Sequence, residues 1–196
     1  MPREILLVEE HTLPIVVVNL VLRAGALADP VGKEGLAFLT AQMLTRGAGA
    51  LSQEAIADAL DFLGSSLSAS VGRETMGLGG DALVRNLDTF VGLMARVLLE
   101  PTFPADELDK VKRQTLAELA QVRDNDSALC QRAFVRTLFA GHPYGRPAKG
   151  TEESIARITR DDLVAFHAEH YRGSDVLVGA AGDKAGIIGA ALGDAL

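Results

Sequence analysis

The chain has 196 residues, 48% hydrophobic and 23% charged, which is enough apolar material for one sizeable core and too evenly spread for disorder. Its 19 Lys and Arg against 26 Asp and Glu leave a formal charge of −7, so no basic stripe is expected for a nucleic-acid backbone or an anionic membrane surface. No run reaches the ~18 apolar residues that span a bilayer, and the single cysteine, Cys130, excludes an internal disulfide and a cysteine-built zinc site.

Met1-Pro2-Arg3-Glu4 lacks a charged leader followed by an apolar core, so a cytoplasmic chain, or a periplasmic one whose signal was trimmed, is the expectation. Glu4 to Glu9 and Pro14 to Ala24 read as strands rich in Ile, Val and Leu, separated by the turn-like His11-Thr12-Leu13-Pro14. Asn19 interrupts the second run and predicts one sheet face wetter than the other. After the loop Asp29-Pro30-Val31-Gly32, a helix is predicted from about Glu34 to Leu44, stopping near Gly47 and Gly49. Ser52 can cap the next helix, whose Ile56, Leu60 and Leu63 keep helical spacing and which Gly64 closes. Leu67, Ala69 and Val71 alternate with serines, and Met76 and Leu78 follow Gly72-Arg73, the pattern of a hairpin with one buried face.

A long helix is predicted over about Leu83 to Leu99, ending before Pro101. Pro104 can start another, on which Leu108, Val111, Thr115, Leu119 and Val122 form one stripe. A short helix follows over about Ala128 to Phe139, with Cys130 expected as a small buried hydrophobe. Gly141 to Gly145 is a loop, Thr159 with Asp162 opens a helix through about Glu169, and Asp175 to Ala181 is a strand. Gly182-Asp183 turns into a last apolar helix carrying Ile187, Ile188, Leu192 and Leu196, an ending expected of a piece of something longer. Hairpins outnumber strand–helix–strand units, so the expectation is a single α+β domain over 1–196, a mostly antiparallel sheet packed against helices.

Candidate chemistry is sparse. His167 and His170 lie three apart on a predicted helix, close enough to share a face, but without the usual four-residue spacing and without a third ligand fixed by sequence. Histidines at a helix C-terminus also interact favourably with the dipole. No Gly-x-Ser-x-Gly elbow exists, and Ser65, Ser66, Ser68 and Ser70 read as the polar side of a strand. The glycines at 47, 49, 77, 79 and 80 lack the Lys-Ser/Thr of a phosphate loop. Glu118 falls at the border of its helix's apolar stripe, where a structural ion pair and a chemical role are both possible readings.

Taken together, several segments resemble the M16 metallopeptidase family, the group of pitrilysin, insulinase and mitochondrial processing peptidase. They are Arg23-Ala24-Gly25-Ala26 through Gly35-Leu36-Ala37-Phe38-Leu39-Thr40-Ala41-Gln42-Met43-Leu44, then Leu99-Glu100-Pro101-Thr102-Phe103-Pro104, then His142-Pro143-Tyr144-Gly145-Arg146 with Gly150-Thr151, and finally Phe166, His170-Tyr171 and Gly182-Asp183. The resemblance implies the family's LuxS/MPP-like metallohydrolase fold and a zinc site made by an inverted His-x-x-Glu-His helix plus a Glu on a later helix. The matching positions here are Ala37, Thr40 and Ala41, so both histidines and the general base are absent, while the third-ligand position is Glu118. A second acidic position of the family corresponds to Val111. One carboxylate cannot hold zinc tightly or activate a bound water.

Members of the family work as two related halves closing around a peptide, and in two-subunit forms one partner lacks zinc. The resemblance therefore implies the N-terminal half of a non-catalytic subunit, with no cofactor of its own, a zinc-bearing homologous partner and a peptide substrate; nucleic acid and membrane insertion are not expected. Two alternatives stand beside it: an active zinc peptidase with a displaced site at His167 and His170, and a purely structural core-type subunit.

Overall fold

Alternation sets the sheet. In strand β2 (Ile15–Leu22), Val16, Val18, Leu20 and Leu22 are buried while Ile15, Val17 and Asn19 face outward, the period-2 pattern of a strand covered on one side. The computed structural model describes residues 4–183, 185, 186 and 188, with Arg123 by its backbone alone. Strand β1 (Glu4–Glu9) is followed by β2, and helix α1 (Leu36–Met43) leads into the two-residue strands β3 (Gly47–Ala48) and β4 (Leu51–Ser52). Helix α2 (Gln53–Leu63) precedes the hairpin of β5 (Ser66–Val71) and β6 (Met76–Leu83). Helices α3 (Leu87–Leu99), α4 (Ala105–Gln121), α5 (Asp126–Leu138), α6 (Glu152–Arg157) and α7 (Arg160–His170) lead to strand β7 (Leu177–Gly182). The main sheet has the order β1-β7-β2-β6-β5, antiparallel except for the parallel β1–β7 pair. This is the expected α+β architecture.

Register explains why one sheet face is bare. Asn19 stands opposite Gly79 on one side and Gly179 on the other, and Ser68 and Ser70 stand opposite Gly79 and Gly77. Small and polar residues thus occupy the middle of the outer face, which also leaves Ile15 and Val17 exposed, while Met76, Leu78 and Ala82 join the β2 residues in a core completed by Phe90, Met94 and Leu98 of α3. Burying a large apolar side chain contributes about 1.5–3 kcal/mol, which makes this inner layer the main support of the sheet.

Local signals fix most boundaries. Ser52 Oγ accepts the Ala55 amide at 3.2 Å and Gly64 closes α2 at φ 62°. Thr159 and Asp162 form a reciprocal capping box on α7. Two expectations need correction, and two features carry no local signal in the sequence. β1 and β2 do not form a hairpin, because β7 inserts between them, a pairing across the whole chain that no local turn signal encodes. The helix predicted from Leu83 begins at Leu87, since β6 runs to Leu83 and residues 84–86 make a tight 3-10 turn. The short α6, capped by Thr151, was too brief to show a period. Cys130 is exposed rather than buried, because α5 buries none of its residues and leaves Phe134 and Leu138 in solvent. Of the predicted C-terminal helix, Ile187, Leu192 and Leu196 lie outside the described residues, and Ile188 is buried.

Candidate functional site

α1 is covered on nearly every side: Leu36, Ala37, Leu39, Thr40, Ala41 and Met43 are all buried. A helix apolar all round belongs inside a core, and its start must therefore satisfy its own amide groups without water. Asp29 does this. Its carboxylate accepts the amide protons of Gly35 and Ala37, each at 2.7 Å, from a position only 3% exposed. Burial pushes the Asp29 carboxyl up to about 6, against the pull of the two amide hydrogen bonds.

The three positions that match the metal-binding helix sit in this buried turn. Ala37 and Ala41 belong to the contiguous core, and the Thr40 hydroxyl donates to the Leu36 carbonyl at 2.8 Å. Methyl groups donate nothing to a cation, and the one hydroxyl is already bonded. Glu118, half-exposed on α4, accepts from the Lys149 ammonium at 2.9 Å. The same ammonium lies 5.2 Å from the centre of the Phe38 ring, within cation–π range. Val111, at the family's other acidic position, is buried in the core. This donor set does not fit a zinc ion, which needs three protein ligands and an open position in a catalytic site.

Lys149 reaches Glu118 because its loop is pressed onto the start of α1. Gly150 has φ +78°, and a Cβ there would collide with the Glu34 carbonyl. At Gly35, with φ +96°, a Cβ would come within 2.9 Å of the Lys149 carbonyl oxygen. The Ser154 hydroxyl closes the contact by donating to the Glu34 carbonyl at 2.7 Å. Sequence reasoning named Glu118 but neither Lys149 nor Asp29. The only written cue to this docking is the pair of glycines, which no periodicity connects.

His167 and His170 are engaged separately. His167 Nε2 donates to the Leu98 carbonyl at 2.7 Å, its ring stacks on Tyr171 at 4.7 Å, and burial lowers its pKa. His170 lies against Phe166, ring centres 4.5 Å apart, with Nε2 4.0 Å from Glu169. Among the described residues no group of three or more His, Cys, Asp or Glu could hold a metal ion, and no helix is long and apolar enough to cross a membrane. Beside the Glu118–Lys149 pair opens a cleft of about 1090 Å3, walled by α5 and by the loop that carries Lys149.

The sheet over a buried helix, with a lone acid on a later helix, makes an α+β domain with no set of side chains that could hold a metal among the described residues. Residues 4–152 match the family described as Insulinase (Peptidase family M16), and the chain belongs to that family. It is 31% identical over 175 residues to the "Non-peptidase homolog YmxG" of Helicobacter pylori, covering 89% of this chain and 40% of that protein. It is 26% identical over 168 residues to an "Uncharacterized zinc protease" of Rickettsia bellii, covering 86% of this chain and 41% of that one. Among solved structures, a peptidase M16 inactive domain from Pseudomonas fluorescens superposes with a TM-score of 0.92 at 31% identity, over 98% of this chain and 48% of that chain. The chain thus spans between two fifths and one half of the length of these three proteins.

Proposed function

We propose that this chain is a non-catalytic M16 subunit that pairs with a zinc-bearing homologue and contributes one wall of a chamber in which the partner cleaves peptides. One observation carries the reading: the helix that should present two imidazoles and a carboxylate presents Ala37, Thr40 and Ala41 to the core, and the remaining acid, Glu118, is held by Lys149. The relatives called a non-peptidase homologue and an inactive domain support it.

The test is reconstitution. The purified chain alone is expected to bind no stoichiometric zinc and to cleave no peptide. Mixed with a homologue carrying an intact His-x-x-Glu-His, it should form a complex and support peptide cleavage, and Glu118→Gln should leave that cleavage within about twofold. One tightly bound zinc per chain, lost on His170→Ala, would instead establish the displaced site. A complex that neither binds nor cleaves peptide would leave the purely structural subunit.

A further inference from the structure

The cleft beside Glu118 contradicts the molecule's overall charge. In a chain of net −7, its walls carry four arginines, Arg73, Arg132, Arg136 and Arg146, and Lys149, whose charge is engaged by Glu118, against two acids, Glu152 and Glu153. Glu153 faces Arg157 at 3.5 Å. Arg73 and Arg146 each spend one N–H on a backbone carbonyl, of Tyr144 and Asp29 respectively, bonds that orient the guanidinium without cancelling its charge. Arg132 and Arg136 are exposed on α5, and their side chains form no hydrogen bond or ion pair with any other described residue. A concave surface lined by one sign of charge concentrates the opposite sign.

We propose that this cleft binds an extended peptide carrying carboxylates at alternate positions, with Arg132 and Arg136 as its main contacts. The proposal rests on the peptide-handling part of the function proposed above and gives it a substrate class. Spacing supports it. Four residues of α-helix advance about 6 Å, and alternate side chains of an extended strand lie about 6.6 Å apart on one face. Two acids in an x-Asp/Glu-x-Asp/Glu-x segment therefore meet the two arginines in register, each able to take a planar fork. At about 1090 Å3 the space exceeds the usual upper size of a small-molecule pocket and suits several residues of chain. A nucleic-acid strand is the poorer occupant, because no aromatic ring lines the cleft to stack bases and the rest of the surface repels a long polyanion.

The experiment is fluorescence anisotropy with the full chain and a labelled hexapeptide bearing two glutamates at alternate positions. Controls are the same peptide with Gln or Lys at those positions and a single-stranded oligothymidine. The expected result is at least tenfold tighter binding of the glutamate peptide than of the glutamine one. That binding should weaken with added salt and fall at least tenfold in Arg132→Glu/Arg136→Glu. The milder Arg132→Gln and Arg136→Gln variants, with thermal melts of every variant, separate lost contacts from lost folding. Equal binding of the glutamine peptide, tighter binding of the lysine peptide or of the oligonucleotide, no detectable binding, or an unchanged affinity in folded arginine variants would each overturn the proposal. Because the titration needs no partner, its failure leaves the pairing test standing, and a failed pairing leaves the titration readable.

Discussion

At the scale of single residues, the most consequential side chain is one that performs no chemistry. Asp29 holds the start of α1 from inside the core, and its carboxyl is pushed up to about 6 against about 3.9 in an unfolded chain. The folded state therefore binds this proton more tightly than the unfolded one. The corresponding stabilisation is fully present below about pH 4 and is lost as pH rises through 6, an effect of up to about 3 kcal/mol. Urea unfolding of the wild type should show stability falling across that window, and Asp29→Asn should flatten the slope. A carboxylate with the ordinary, lowered pKa, such as Asp162 beside Lys33, acts in the opposite direction and at lower pH. Glu118 was legible as a border residue because the helical period places it there. Its partner Lys149 was not, because their meeting depends on a loop docking on a different helix.

Among the elements, α1 shows how a catalytic helix becomes a structural one. With Ala37 and Ala41 fully enclosed, an imidazole at either position has no space without repacking, and overpacking a core costs about 1–3 kcal/mol per site. Ala37→His combined with Ala41→His is accordingly expected to lower unfolding stability by about 2–6 kcal/mol, measured by urea denaturation. It should not create a tight zinc site while Lys149 holds Glu118. α2 and α7 announced their limits through Ser52, Gly64, Thr159 and Asp162, whereas α1, which starts after Gly35 without a side-chain cap bond, carries no such signal for its start. On α5, Cys130 was expected inside because free cysteine is commonly buried, yet it is exposed, since α5 buries none of its residues.

Over the whole molecule, composition gave the sign of the net charge and concealed its distribution. A total of −7 excludes a basic stripe on average, while folding gathers Arg73, Arg132, Arg136, Arg146 and Lys149 from three separated stretches of sequence into one concavity. Fold class and family could be read from hairpins, caps and a chain of ordered motifs. The sheet order could not, because among the described strands β1 pairs only with β7, the last of them.

That closure bears on synthesis. On a ribosome, the first strand emerges long before the segment that will flank it, so β1 stays unpaired and β2 stays an open edge until residue 182 has left the exit tunnel, and the final zippering is late and slow for the size of the sheet. A chain halted after residue 175 lacks the strand that joins β1 to β2. Such a product is expected to sediment with aggregates and to give no cooperative melting transition, while the uninterrupted chain stays dispersed, as fractionation of the two translation products would show.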